Sequence, residues 1–141
     1  ICGRTWPGEL SLADLRRELV GPLGGLEAAL DHARKHGFQA VLCVPVDTLP
    51  LPIDLLDRLQ GEQAAVFEHQ YSIGYWPIES LEPLQAYLSG GQRELAGWIQ
   101  RAGARKVAEP HWIGNVNSPA DLGEIRAVEL MTQSLGADAE P

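Results

Sequence analysis

The stretch Ala40-Val41-Leu42-Cys43-Val44-Pro45-Val46-Asp47 limits the fold more than any other part of the chain. An apolar run without alternation suits a strand covered on both faces, as in a parallel sheet with helices packed above and below. Proline and then a carboxylate end the run, so Asp47 stands just past the strand's carboxyl end. Open α/β sheets bind ligands in the crevice outside those ends, which makes Asp47 a candidate ligand for a magnesium ion carrying a phosphate substrate. Aspartates also turn loops through local hydrogen bonding, and on the residues alone that plainer role stays open.

A chain of 141 residues can build one domain with a real core, expected over residues 1–135, with a loose tail at 136–141. Its net charge of −8 argues against a nucleic-acid or anionic-membrane surface, whose affinity comes from clustered Lys and Arg. A small phosphate-bearing molecule remains compatible, because magnesium supplies the positive charge that the sequence lacks. Cys2 and Cys43 form no metal-ligand spacing, and no apolar stretch approaches membrane-spanning length. The opening Ile1-Cys2-Gly3-Arg4 does not read as a signal peptide, so a cytoplasmic enzyme or binding domain is expected. Because the first residue is Ile rather than Met, a further segment is expected upstream in the gene.

The rest of the chain fits a βαβ grammar. Ser11 followed by Leu12 to Leu19 predicts a short helix, with Asp14 in capping-box position. Gly21-Pro22-Leu23-Gly24-Gly25 then reads as a glycine-rich loop feeding a helix marked by Leu26, Ala29, Leu30 and Ala33 and closed at Gly37. Glycines at a helix start admit a ligand to the backbone, or serve tight packing; both roles are open. After Asp47, Pro52 predicts a helix with Leu55, Leu56 and Leu59 facing inward. Ala64 to Glu68 reads as a second apolar run, and Tyr71 to Trp76 as a half-exposed or antiparallel strand, with Gly74 marking a bulge or a close contact. Two helices follow, over Leu81 to Leu88 and Leu95 to Ala102, then a brief strand from Arg105. Ser118, Pro119 and Asp121 give an N-cap, a proline at the first helical position and an acid at the third. His32, His36, His69 and His111 lack obvious catalytic partners and are expected at the surface.

Taken in order, Gly21-Pro22-Leu23-Gly24-Gly25-Leu26, Val44-Pro45-Val46-Asp47-Thr48, Leu51-Pro52 and Asn115-Val116-Asn117-Ser118-Pro119-Ala120-Asp121-Leu122 resemble the motifs of molybdenum cofactor guanylyltransferases. Tyr71-Ser72-Ile73-Gly74-Tyr75-Trp76-Pro77 resembles the family's apolar strand, and Gly91-Gln92-Arg93 its basic connection. The resemblance implies a three-layer, Rossmann-like nucleotidyltransferase domain of α/β class with a mostly parallel sheet. It implies transfer of GMP from Mg²⁺-bound GTP to the terminal phosphate of molybdopterin, and delivery of the product to molybdenum enzymes or their chaperones. By resemblance Asp47 is the magnesium-binding catalytic acid, Asp14, Gly21, Pro22, Gly24 and Gly25 lie near the guanosine, and Asn115, Asn117 and Arg93 serve the acceptor. The asparagines have a physical rationale as well, since residues two apart on an extended segment point the same way.

The sequence departs from the family pattern in two places. The family's opening strand and glycine-rich loop, with the Arg and Lys that cradle the triphosphate, has no counterpart in these residues, and Val46 and Leu49 replace a frequent Cys and Pro. A relative that uses CTP or another phosphorylated acceptor, or a non-catalytic module that binds the cofactor, are the competing readings.

Overall fold

The computed structural model describes residues 1–3, 5–16, 21–123 and 125–126. Pro22 opens helix α1 (Pro22–Lys35), where a residue without an N–H loses no helical bond and its fixed φ is already helical. Leu23, Leu26, Leu30 and Ala33 form its buried stripe, and Gly37 follows the helix end with a φ of 77°. Strand β1 (Ala40–Cys43) comes next, then a turn at Val46 and Asp47, strand β2 (Thr48–Leu49) and helix α2 (Leu55–Leu59). Strands β3 (Ala65–Phe67) and β4 (Gly74–Pro77) lead through a 3-10 turn into helices α3 (Leu81–Ser89) and α4 (Leu95–Ala102). Strands β5 (Arg105–Val107) and β6 (Gly114–Asn115) complete the named elements, and residues 119–123 are helical.

The main sheet runs β1-β4-β3-β5, and β2 pairs with β6 in a separate antiparallel ribbon. Alternation along the strands sends side chains into two cores. Val66 and Trp76 join Leu23, Leu26, Leu30, Leu84, Leu88 and Trp98 under the layer of α1, α3 and α4. Ala65 and Phe67 join Leu55, Leu59, Ile73 and Ile113 on the opposite face, beneath α2 and the β6 segment. The three-layer α/β arrangement expected from the sequence is therefore present. Of the expected parallel pairing, the described residues show the β3–β5 pair, whereas β1–β4 and β3–β4 are antiparallel.

Some local expectations need correction. β1 is at one edge of the main sheet among the described residues, and its four residues are only half-buried. Val41 and Cys43 touch one core and Leu42 the other, so both faces are covered but one edge is not. The strand buried on every side is β3. The helix expected from Leu12 is absent at residues 12–16, and residues 17–19 lie outside those described. Leu12 instead bridges Cys2 in parallel, with its N–H donating to the Ile1 carbonyl at 2.8 Å, and Ser11 Oγ accepts from the Trp6 N–H at 3.2 Å. The hydroxyl that would cap a helix here serves the upstream loop instead. Leu56 is 48% exposed, because α2 is one short turn whose inward positions are taken by Leu55 and Leu59. The tail at 136–141 lies outside the described residues.

Two details fix how β4 and β5 enter the sheet. A Cβ on Gly74 would sit 2.7 Å from Trp76 Nε1 and 3.0 Å from Val66 Cγ1, so the strand position expected to mark a close contact does so. Past β5, Glu109 reaches back to the turn after β3. Its Oε1 accepts from the His69 and Gln70 N–H groups, both at 2.7 Å, and its Oε2 lies 3.0 Å from His69 Nδ1. His69 is exposed at the surface, as expected, but it does have an acidic partner. Burial alone would push the Glu109 carboxyl up; the His69 hydrogen bond and the backbone N–H groups outweigh it and hold the group at about 2. The same hydrogen bond, then the charge of Glu109, raises His69 above 6.5.

Gly74→Ala should destabilise the protein by about 1–3 kcal/mol, because the buried, Trp98-stacked indole of Trp76 has no room to retreat; the denaturant midpoint measures this. Glu109→Gln should lower Tm by a few degrees, with a definite pH dependence. The contribution of Glu109 is present above its ordinary 4.5 and fades as pH falls toward 2, while that of His69 is present below 6.5 and fades as pH rises through its raised folded value. The gap between wild type and variant is therefore widest between 4.5 and 6.5, and a gap independent of pH would contradict the pairing.

Candidate active site

The β1 run leaves the sheet at Val44 and Pro45, and the turn at Val46 and Asp47 hands the chain to β2. Thr48 pairs with Asn115 and Leu49 with Gly114, and the Val116 N–H donates to the Asp47 carbonyl at 2.6 Å. This short ribbon sets Asp47 opposite Val116, so that Asn115 and Asn117 flank it along the facing segment. Asp47 is half-buried, whereas Thr48 beside it is only 2% exposed and donates its hydroxyl to Asp47 Oδ1 at 3.4 Å.

The asparagine segment is anchored at both ends. Ile113 is buried in the second core. Beyond Asn117, the helix starts as the sequence suggests: Ser118 Oγ accepts from the Asp121 N–H at 3.3 Å, while Asp121 Oδ2 accepts from the Asn117 and Ser118 N–H groups at 2.9 and 2.8 Å. Those backbone bonds, Asn117 first, hold the Asp121 carboxyl below its ordinary range. Between the anchors, Asn115 Oδ1 accepts from Gln70 Nε2 at 3.0 Å. Sequence reasoning missed Thr48, Gln70 and Glu109. A threonine directly after the candidate acid was visible, but nothing in the spacing of Gln70 or Glu109 linked them to Asn115.

The glycine segment differs in detail from a loop. Gly21 alone stands outside the helix, with φ of 60°, and Gly24 and Gly25 lie within α1. A Cβ on Gly25 would come within 3.1 Å of Cys2 Cβ, so the packing role applies there. Asp14 is exposed and close enough to Cys2 to raise its thiol, after burial as the larger cause. Burial, and secondarily Cys2, pushes Cys43 at the end of β1 up to about 12. The stretch carrying Asp14, the start of α1 and the end of β1 therefore meet around Cys2. Arg16 fastens this corner: its guanidinium donates to both Glu27 oxygens at 2.9 and 3.0 Å and reaches Gln85 O and Ser89 Oγ near the end of α3. Asp14 and the glycines thus lie at the end of β1 from which Asp47 departs.

Arg93 occupies the α3–α4 connection. It donates to the Leu88 and Gln92 carbonyls, each at 2.7 Å, closing the end of α3, and it lines a depression of about 740 Å³ with Tyr87, Gln100 and Arg101. Among the described residues no group of three or more His, Cys, Asp or Glu is gathered for a metal. A magnesium ion commonly takes one or two carboxylates and fills its remaining positions with phosphate oxygens and water. Asp47, partly exposed and in contact with the Thr48 hydroxyl, could supply one such carboxylate.

No protein-family profile matches the chain. It is 32% identical over 123 residues to a molybdenum cofactor guanylyltransferase of Acidiphilium cryptum, covering 82% of this chain and 63% of that relative. It is 36% identical over 117 residues to one of Cereibacter sphaeroides, covering 77% and 61%. In fold it is similar to the crystal structure of molybdopterin-guanine dinucleotide biosynthesis protein A from Archaeoglobus fulgidus, with a TM-score of 0.59, 21% identity, and coverage of 87% of this chain and 68% of that one. No helix among the described residues is long and apolar enough to cross a membrane. In sequence the chain is thus similar to molybdenum cofactor guanylyltransferases, and it spans about three fifths of the length of the curated relatives it matches.

Proposed function

We propose that these residues form the metal and acceptor side of a nucleotidyltransferase that moves GMP from GTP to the terminal phosphate of molybdopterin. The observation that carries this reading is the β2–β6 ribbon, which sets the half-exposed Asp47 against the segment of Asn115 and Asn117 at the carboxyl end of β1. In the reaction, an acceptor phosphate oxygen bonds to the α-phosphorus of GTP while the bond to the bridging β-phosphate oxygen breaks, and pyrophosphate leaves. The nucleophile is already an anion, so no side chain needs to remove a proton. Positioning and charge neutralisation carry the catalysis.

Asp47 would hold Mg²⁺, which supplies positive charge to the transferring phosphoryl oxygens when bound. Asn115 and Asn117 orient the acceptor through amide hydrogen bonds, and Arg93 offers a cation at the α3–α4 depression. The start of α1 at Gly21 and Pro22, with Gly24, Gly25 and Asp14 close by, faces the guanosine. GTP rather than CTP is the nucleotide in this reading, the compartment is the cytoplasm, and molybdenum enzymes or their chaperones receive the product.

Asp47→Asn in the full-length protein should lower molybdopterin-dependent pyrophosphate release from GTP by about 10²–10³-fold, the scale of removing one group that stabilises transition-state charge. Its Tm should stay within a degree or two, because the Asp47 carbonyl, not its carboxylate, makes the ribbon bond. Undiminished release would overturn the assignment.

A further inference from the structure

The amide of Asn115 is not free to choose its orientation. Gln70 Nε2 points at two oxygens of the β6 segment, the Ile113 carbonyl at 3.5 Å and Asn115 Oδ1 at 3.0 Å. A backbone carbonyl can only accept, so the Gln70 atom facing it must be the NH₂ donor. The Ser72 hydroxyl, which can donate or accept, lies 3.4 Å from Gln70 Oε1 and donates to it in this orientation. With an NH₂ group beside it, Asn115 must present its own oxygen inward, which turns its Nδ2 away from Gln70. Gln70 is itself held: Glu109 Oε1 takes its backbone N–H, and that of His69, at 2.7 Å.

From this chain of bonds we infer that Gln70 is a positioning residue that commits Asn115 to donate, rather than accept, a hydrogen bond toward the ligand. The ligand group at Asn115 is then a hydrogen-bond acceptor, such as a phosphate oxygen, a ring carbonyl or a ring nitrogen, and not an amino group. This rests on the reading of Asn115 as an acceptor-side residue and adds the polarity of its contact and the side chains that set it. The direction of control matters. A loop glutamine, anchored by a carboxylate on a different segment, sets the specificity of a residue that the sequence places far from both.

The test is a double-mutant cycle in the full-length protein, with molybdopterin as the varied substrate and GTP saturating, and with GTP varied in parallel. Gln70→Glu is the informative change. A carboxylate there repels the Ile113 carbonyl and draws the Asn115 NH₂ inward, so Asn115 Oδ1 faces the ligand. The expected result is a rise of about 10-fold or more in KM for molybdopterin, with KM for GTP unchanged, on the scale of one lost hydrogen bond to a charged group. Gln70→Leu, which only frees the Asn115 amide to rotate, should have a smaller effect of the same kind. In an Asn115→Ala background both Gln70 substitutions should lose their effect on KM, because Gln70 acts through Asn115.

If the Gln70 effects persist in full in that background, the relay is wrong and Gln70 has only a structural role. An unchanged KM for molybdopterin in Gln70→Glu, with Asn115→Ala itself impaired, overturns it too. If Asn115→Ala leaves KM and kcat untouched, the acceptor-side reading of Asn115 falls, and the relay with it. Thermal melts of each variant separate lost folding from lost recognition. A Gln70→Glu protein that melts like wild type but shows KM for both substrates raised equally also counts against the proposal.

Discussion

The bond from the Val116 N–H to the Asp47 carbonyl, with the two residue pairs beside it and His111 Nε2 at 3.2 Å from the Pro50 carbonyl, joins the segment after β1 to the segment that carries the asparagines. A two-stranded ribbon this short has little stability of its own. It persists because each of its strands is fastened elsewhere. Thr48 is buried, Ile113 belongs to the second core, Gln70 latches Asn115, and the reciprocal cap between Ser118 and Asp121 sets the chain's exit. The site therefore inherits its geometry from anchors that lie outside it, with Asp47 half-buried and Asn115 and Asn117 exposed.

The layered architecture explains why the site lies at one end of the sheet. α1 ends just before β1 begins, so the start of α1 and the end of β1 fall at the same end of the molecule. The Arg16 guanidinium ties the early turns of α1 to the end of α3 across that corner. Its partner Glu27 is almost fully buried, and a buried carboxylate persists only with a close, well-formed partner. The aromatic group of Trp76, Tyr87 and Trp98 fills the helix side of the sheet, and this stiff packing leaves Gly74 as the residue that can pass beside it.

Much of this was legible in the residues, for identifiable reasons. Helices α1, α3 and α4 carry apolar spacing and glycine ends, so local periodicity sufficed, and the cap at Ser118 and Asp121 followed from three residues in a row of known preference. The strand run at Ala40 was recognisable, but its place at an edge was not. Composition reports that a strand is apolar and not which neighbours it finds, so β1 and β3 looked alike and only β3 is enclosed. The segment at Ser11 misled because the same hydroxyl serves an N-cap or a loop, and the choice depends on Trp6. Asp47 and the asparagines were visible as types at positions. The backbone pairing of their segments through β2 and β6, and the hold of Glu109 on Gln70 and of Gln70 on Asn115, depend on long-range contacts that no local pattern encodes.

The most direct test asks whether a metal bound at Asp47 lies next to the asparagine segment. In full-length protein with ¹⁵N-labelled asparagine, Mn²⁺ can replace Mg²⁺ in the presence of GTP, and its unpaired electrons broaden nearby amide signals. The side-chain NH₂ signals of Asn115 and Asn117 should disappear on adding Mn²⁺ with GTP and return in Asp47→Asn. Sharp signals from both asparagines beside bound Mn²⁺ and GTP would contradict a site built on the β2–β6 ribbon.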